Sequence, residues 1–223
     1  MNTTTAQIIV ETPNVASLQP AITAQAPAPS RDWRGQLPLL RAGTATLRQL
    51  ELSDAPSLFE ALTREEVTRF ITPPPATIEG FERFIAWTRH EQSEGRYACF
   101  GIVPEGEHRV VGIIQVRQLE GTFVTAEWGF ALGSDYWGTG LFNAGAIAVI
   151  NFAFETLGVH RLEARAAVSN GRGNAALHKL GATAEGILRR SFLRHGEYMD
   201  QVLWALLASD WWNSPDGAPI HLH

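Results

Sequence analysis

The chain has 223 residues, of which 45% are hydrophobic and 18% are charged, and its formal net charge is −5. This balance supplies enough apolar area for a buried core and excludes a globally disordered chain. The length favours one domain with extensions, and the basic residues beyond His160 alternate with Glu and apolar residues, which excludes a basic stripe for nucleic acid.

The cysteine count and the apolar runs indicate the cellular compartment in which the protein is expected to function. Cys99 has no second cysteine to pair with, so a reducing cytoplasm fits the sequence. The apolar residues around Cys99 indicate a buried strand position rather than a nucleophile. Apolar runs stay below the ~18 residues needed to cross a bilayer. The first thirty residues lack Lys and Arg, unlike a secretory or transit peptide, so we expect no membrane partner.

The two ends of the chain differ in composition from its middle. Residues 1–30 are rich in Thr, Ala, Pro and Gln. Such a segment buries too little apolar area to offset the entropy lost on ordering. We therefore predict a flexible N-terminal extension over 1–30, a folded domain over 31–213 and a C-terminal tail over 214–223.

The predicted domain begins with one strand and two helices. Residues 44–50 have the pattern of a strand. Ser53 and Pro56 indicate the start of a first helix, with Ser53 as its N-cap. Thr77 is predicted to cap a second helix that ends at Gly95. The core face of that helix has four residues at helical spacing, Phe81, Phe84, Ile85 and Thr88.

The middle of the chain indicates a hairpin-linked sheet followed by a buried helix. Three strands are predicted over 97–103, 110–118 and 123–132, and the short polar connections between them favour antiparallel pairing. The segment 133–140 is predicted to be a loop. Residues 141–157 are apolar nearly all round, which is typical of a helix buried against a sheet.

The remaining elements complete a mixed sheet. A strand is predicted over 162–168, a short helix over 174–180 and two final strands over 187–194 and 199–207. The unit that runs from the third hairpin strand through the long helix to the strand at 162–168 is a βαβ crossover, whose strands are parallel. The fold class is therefore α/β (α+β), with a mixed, mostly antiparallel central sheet and helices on both faces.

Two glycines, Gly138 and Gly140, stand directly before the long helix. Free backbone N–H groups at a helix start bind anions, and glycine permits close approach of a phosphate, so pyrophosphate is the natural ligand. A plain strand-to-helix turn is the alternative. A P-loop would need Lys and Ser or Thr after Gly140, and a dinucleotide fold would need glycine in place of Asn143, so both nucleotide-binding motifs are disfavoured.

Five motifs occur in a fixed order along the chain. They are Ala126-Glu-Trp-Gly-Phe-Ala-Leu, Tyr136-Trp-Gly-Thr-Gly-Leu, Gly158-Val-His-Arg-Leu-Glu-Ala, Ser169-Asn and His178-Lys-Leu-Gly-Ala. Together they resemble the GNAT superfamily of N-acetyltransferases, specifically its RimJ/RimL-type branch, which acetylates protein N-termini and other amines. The resemblance implies acetyl-CoA as acyl donor and a splayed parallel strand pair, open between the strands ending at Leu132 and Val168.

The resemblance also implies residues that bind the coenzyme. Amides of the glycine loop would hold the pyrophosphate, and the strand before the loop would pair with the pantetheine arm. Gly129 in that strand suits a bulge that opens the sheet. Asn170 matches an asparagine that contacts the coenzyme, and a helix or turn cap is its alternative. The predicted set is Phe130, Ala131, Leu132, Trp137, Gly138, Thr139, Gly140, Leu141, Asn170 and Asn174.

Glu127 is the predicted catalytic base, because it matches the strand position of the catalytic glutamate in many GNAT enzymes. Flanking Trp128 and Phe130 are expected to desolvate its carboxyl group. An exposed strand glutamate is the alternative. The sequence departs from the family pattern at three positions. Asp135 replaces a Gln or Arg that could bind phosphate, which leaves the loop amides to bind it. Leu177 and Gly173 replace a tyrosine acid and a serine found in many members, so no general acid is predicted.

The acceptor site is predicted to lie across the splayed strands from the coenzyme, between the first two helices and the final hairpin. Phe70, Trp87 and Tyr198 are predicted to line it, and no metal site is expected. The partner would be an amine substrate, either a peptide N-terminus or a small molecule, and a homodimer is compatible with the sequence. The alternative function is a non-catalytic acyl-CoA-binding module that kept the glycine loop without the chemistry.

Overall fold

The computed structural model describes residues 32–194 and 196–214. The predicted extension over 1–30 and nearly all of the predicted tail lie outside these residues, so their boundaries stay predictions. The described strands are β1 (Leu40–Ala42), β2 (Ala45–Gln49), β3 (Tyr97–Pro104), β4 (Gly112–Leu119), β5 (Thr122–Leu132), β6 (Arg161–Ala167), β7 (Thr183–Arg194) and β8 (Glu197–Leu207). The described α-helices are α1 (Ala55–Leu62), α2 (Glu65–Thr68), α3 (Ile78–Ser93), α4 (Leu141–Glu155), α5 (Gly171–Lys179) and α6 (Ala208–Asn213).

The strands form one sheet in the order β1-β2-β3-β4-β5-β6-β8-β7. Neighbouring strands are antiparallel except for the pair β5 and β6, which is parallel. The predicted hairpins and the βαβ crossover are therefore confirmed. Within the described residues, no helix is of a length and apolarity that would let it cross a bilayer.

The parallel strands β5 and β6 stay together only at their starts. Residues 125–127 of β5 pair with residues 161–163 of β6, and the described pairing stops there although β5 continues to Leu132. On its other side β5 remains paired with β4 as far as Leu132. The predicted splay is confirmed, and it leaves one side of the β5 backbone open.

The bulge predicted at Gly129 is wrong. Gly129 pairs directly with Gln115 of β4, and the register shift in this hairpin lies between Gln118 and Leu119 instead. A side chain at Gly129 would place its Cβ 3.3 Å from Gln115 Nε2. Glycine at this position therefore makes room for the Gln115 amide rather than bending the strand.

Helices cover both faces of the sheet, as predicted. One core cluster lies between the sheet and α4, where Phe100 of β3 and Phe152 of α4 meet edge to face at 5.1 Å. The other cluster packs α1 and α3 against the opposite face and includes Cys99. Both faces of α4 are largely buried, which explains why its sequence is apolar nearly all round.

The helix starts agree with the sequence in part. Thr77 caps α3, with its Oγ1 accepting the Gly80 N–H at 3.0 Å. Ser53 does not cap α1, because a 3₁₀ turn over 52–54 precedes that helix. The Asp54 side chain instead belongs to the capping box of that 3₁₀ turn, where it accepts the Glu51 N–H at 2.8 Å, and it pairs with the Arg48 guanidinium at 2.7 Å.

Candidate active site

Two cavities meet where β5 has parted from β6. We call the cavity of about 790 Å³ beneath α3 the sheet cavity, and the cavity of about 600 Å³ beside the glycine loop the loop cavity. Their linings share four residues, Phe70, Ile71, Phe130 and Ala131. A ligand in one cavity can therefore contact a ligand in the other at this shared border.

The loop cavity collects most of the predicted coenzyme-binding residues. Its lining includes Phe130, Ala131, Leu132, Trp137, Gly138, Gly140 and Asn170 from the predicted set. Thr139, Leu141 and Asn174 are outside this lining. The Thr139 hydroxyl instead donates to the Tyr136 carbonyl at 2.8 Å, and Leu141, the first residue of α4, is buried in the core.

The glycine loop presents bare amides to the loop cavity. Gly138 and Gly140 both have positive φ, +77° and +86°, and a Cβ added at either would meet nothing within 4 Å. Among the described residues, no hydrogen-bond acceptor is found for either glycine N–H. Both amides precede the N-terminus of α4, where the helix dipole favours negative charge. The loop thus fits a diphosphate.

Cationic side chains from α5 add to this anion site. Arg172 and Lys179 line the loop cavity, and the Arg172 guanidinium lies 3.6 Å from the centre of the Trp137 ring. The Trp137 ring is itself held by its indole N–H, which donates to the Leu132 carbonyl at 2.9 Å. Arg172 is absent from the predicted coenzyme-binding set, although it stands two positions after Asn170, which belongs to that set.

The acid in the loop is neutralised. Asp135 pairs with Arg64 at 2.6 Å, and the hydrogen bond from this guanidinium lowers the pKa of the Asp135 carboxyl. Arg64 lies between α1 and α2, so the ion pair also ties the loop to the helices beside β5.

The two predicted asparagines have structural hydrogen bonds. Asn170 Oδ1 accepts the Gly173 N–H at 3.0 Å, so its side chain caps α5 while also lining the loop cavity. Asn174 donates to the Ala167 carbonyl at 2.9 Å and accepts the Trp204 indole N–H at 2.9 Å. Asn174 therefore ties α5 to β6 and β8.

The sheet cavity has apolar walls and a polar floor. The walls come from α1, α3, the proline run 73–75 and Phe192 of β7. The floor carries the polar side chains of Tyr97, Gln115, Glu127, Arg165 and Gln201. A ligand with an apolar body and a polar end would match this division.

The three predicted acceptor-side residues lie in different places. Phe70 lines both cavities at their shared border. Trp87 is outside the sheet-cavity lining and packs on Tyr97, with ring centres 5.0 Å apart. Tyr198 is 58% exposed, with the Arg190 guanidinium 5.7 Å from its ring centre.

Glu127 lies on the floor of the sheet cavity with its side chain 16% exposed. It forms ion pairs with Arg117 of β4 and, at 3.2 Å, with Arg165 of β6. Trp128 and Phe130 pack into the core on the α4 face instead. The expected desolvation of Glu127 by these two rings is therefore wrong, because successive strand residues point to opposite faces.

Comparison with known proteins identifies the class to which this fold and site belong. The sequence profile of the acetyltransferase (GNAT) domain matches residues 45–183, which is more than half of the chain. The chain belongs to the GNAT acetyltransferases.

Two relatives and one solved structure illustrate the match. The chain is 28% identical to N-acetyltransferase p20 of Bacillus licheniformis over 167 residues, which cover 74% of this chain and 94% of that protein. It is 29% identical to the [ribosomal protein uS5]-alanine N-acetyltransferase of Escherichia coli over 123 residues, covering 55% and 62%. RimJ of Mycobacterium smegmatis, solved in complex with CoA-disulfide, shares the fold with a TM-score of 0.71 at 23% identity, covering 80% and 90%.

These matches confirm the resemblance to the RimJ/RimL-type branch and the GNAT fold. The protein is an acetyl-CoA-dependent N-acetyltransferase of the GNAT family. The bare loop amides and the α5 cations fit the diphosphate of this coenzyme.

Proposed function

We propose that the protein transfers an acetyl group from acetyl-CoA, held in the loop cavity, to a primary amine that enters through the sheet cavity. The acceptor amine belongs to a protein N-terminus or to a small molecule. One observation carries the proposal: the two cavities meet at Phe70, Ile71, Phe130 and Ala131, where the open backbone of β5 lies.

The loop cavity supports this assignment through three kinds of contact. Amides of Gly138 and Gly140 would hold the diphosphate, and Arg172 and Lys179 would add positive charge beside it. The β5 backbone over 130–132, which β6 leaves unpaired, would hydrogen-bond to the pantetheine arm. The bound coenzyme supplies the acetyl thioester at the shared border.

We propose Glu127 as the base that accepts the proton of the attacking amine. The amine must be neutral to attack, which at pH 7 costs about 4–5 kcal/mol for a lysine side chain and about 1.4 kcal/mol for an α-amine. Glu127 lies on the cavity floor, and its two arginine partners fix the carboxylate in place.

The leaving group of the reaction is the thiolate of the coenzyme. A thiol of ordinary pKa, about 8.5, leaves as the thiolate without help from a strong acid, so the site needs no tyrosine at Leu177.

The test is the variant Glu127→Gln, with Glu163→Gln as its matched control. Glu163 lies on the same sheet face, is 14% exposed and also faces Arg165, but it is outside the sheet-cavity lining. We expect Glu127→Gln to lower kcat at pH 7 by about 10²-fold or more, with partial recovery at alkaline pH where the amine is neutral in solution. Glu163→Gln should retain kcat. Release of free thiol from acetyl-CoA is the measurement.

Two outcomes would contradict the proposal in different ways. If Glu127→Gln keeps its kcat, the residue serves only to pair arginines across the sheet. If wild-type protein binds acetyl-CoA but releases no thiol with peptides, amino acids or aminoglycosides, the assigned amine chemistry is wrong. The cytoplasmic location and the homodimer stay predictions.

A further inference from the structure

A buried tyrosine and a glutamine form a polar pair on the floor of the sheet cavity. The Tyr97 side chain is 5% exposed, and its hydroxyl donates a hydrogen bond to Gln115 Oε1. Burial raises the pKa of Tyr97 far above its usual value, so the hydroxyl remains a donor. The oxygen of the Gln115 amide is therefore occupied, and the amide orientation is fixed by its partner.

Within the described part of the chain, the nitrogen of the same amide has no such partner. Gln115 Nε2 lies 3.3 Å from the Cβ position of Gly129, over the strand position that lacks a side chain. Among the described residues, no acceptor is found for its two N–H groups, and both Gln115 and Gly129 line the sheet cavity. Because polar groups in a cavity of this kind need partners, these donors are available to a ligand oxygen.

The donors lie beside the proposed base. Gln115 pairs with Gly129 across the hairpin and Arg117 pairs with Glu127, so Gln115 and Glu127 are diagonal neighbours on one face. In an amino-acid residue the α-amine and the carbonyl oxygen are three bonds apart. One residue at a peptide N-terminus can therefore present its amine toward Glu127 and its carbonyl toward Gln115.

The charged residues of the sheet cavity further restrict the class of acceptor molecule. Of the described residues that line the sheet cavity, Glu127 is the one acid, and two arginines already pair with it. A polyamine or aminoglycoside would bring several cations to this site without further carboxylates to receive them. An acceptor with one amine and an apolar body suits the walls.

We propose that Gln115, positioned by Tyr97, is a specificity residue that selects acceptors carrying a carbonyl group next to the reactive amine. The Gln115 N–H groups donate to that carbonyl, and the apolar walls receive the first side chains. This inference rests on the proposed function, since it assigns the amine to the sheet cavity.

The experiment compares Gln115→Glu with wild type on two matched acceptors. Glutamate keeps an oxygen for the Tyr97 hydroxyl and replaces the donor NH₂ by an acceptor oxygen. The acceptors are the dipeptide amide Ala-Phe-NH₂ and its trans-alkene isostere, which lacks the first carbonyl. We expect KM for the dipeptide amide to rise about tenfold in Gln115→Glu, with KM for the isostere and for acetyl-CoA changed less than about twofold.

Tyr97→Phe provides an intermediate case. It retains the Gln115 donors but releases the amide from its anchor, so we expect a smaller rise in KM for the dipeptide amide and again no change for the isostere. Thermal unfolding and binding of CoA establish that both variants are folded. Spermidine should have a kcat/KM at least about tenfold below that of the dipeptide amide.

Other results overturn the inference. Equal losses with both acceptors, or a raised KM for acetyl-CoA, would assign Gln115 to the thioester or to the sheet. If the wild type acetylates no acceptor, the proposed function fails on its own. Calorimetric binding of Ala-Phe-NH₂ to the CoA-bound protein then still tests Gln115, and an affinity unchanged by Gln115→Glu counts against it.

Discussion

Three glycines have the same left-handed backbone conformation, but only two of them border the loop cavity. Gly138, Gly140 and Gly158 have φ of +77°, +86° and +72°, and a Cβ at any of them would meet nothing within 4 Å. Gly138 and Gly140 border the loop cavity, whereas Gly158 follows α4 and is outside that lining. A residue with a Cβ would be strained at all three positions, and contact with the coenzyme is proposed for Gly138 and Gly140.

Alanine substitution should therefore affect stability at Gly140 and at Gly158, but coenzyme binding only at Gly140. Gly140→Ala and Gly158→Ala should each lower the free energy of unfolding by about 1–3 kcal/mol, because alanine is strained at positive φ. Gly140→Ala should also raise KM for acetyl-CoA, because its methyl group occupies the space above the loop amides. Denaturant unfolding and acetyl-CoA saturation curves measure the two effects. A KM raised equally by Gly158→Ala would show that strain alone affects binding.

Ion pairs on the open sheet face explain how Glu127 is placed. Arg165 reaches both Glu127 at 3.2 Å and Glu163 at 3.8 Å, so one side chain of β6 bridges the two strands where they still pair. Side-chain exposures of 14–51% keep these pairs in contact with water, so they position the carboxylates more than they stabilise the fold.

At the scale of single elements, helix α3 contributes both to the stability of the fold and to the wall of the sheet cavity. Its residues Phe81 and Phe84 form part of the sheet-cavity wall, and its start depends on the Thr77 hydroxyl. The helix therefore holds the acceptor side of the cavity through one cap and one apolar face.

Thr77→Ala should lower the free energy of unfolding by about 1 kcal/mol, because the Gly80 N–H loses its acceptor. Thr77→Ser, which keeps the oxygen, should be close to wild type. Chemical denaturation measures both variants. If serine destabilises as much as alanine, the threonine methyl group and not the cap is responsible.

The short elements β1 and α2 were not predicted from the sequence, for a physical reason. β1 has three residues and α2 has four, which is too few to show a period. Tertiary contacts hold them instead: the Arg194 guanidinium donates to the Thr68 carbonyl at the end of α2, at 2.9 and 3.2 Å. The long elements β5, α3 and α4 were predictable because their apolar patterns run over many residues.

At the scale of the whole molecule, Cys99 reports on the integrity of the fold. It lies in the core between the sheet and the helices α1 and α3, and burial raises the pKa of its thiol well above the usual range. Both features oppose formation of a reactive thiolate in the folded protein.

A thiol reagent such as dithiobis(nitrobenzoic acid) should therefore react with native protein only on the timescale of unfolding. In concentrated urea one thiol per chain should react at once. The absorbance of the released chromophore gives both rates. Rapid reaction of the native protein would mean that this core opens locally, and it would also disturb thiol-release assays of the enzyme.

The sequence by itself determined the mixed sheet, the crossover and the glycine loop, because each depends on residue types at short spacing. Glu127 as the candidate base came from the resemblance to the GNAT superfamily and stays a prediction. Tertiary structure alone decided the partners of Glu127, the structural roles of Asn170 and Asn174, the approach of Arg172 to Trp137, and the pairing of Tyr97 with Gln115. These contacts join residues that are distant in the chain or that compete for several partners. Strand register and side-chain direction select among such contacts, and both are fixed only when the sheet has formed.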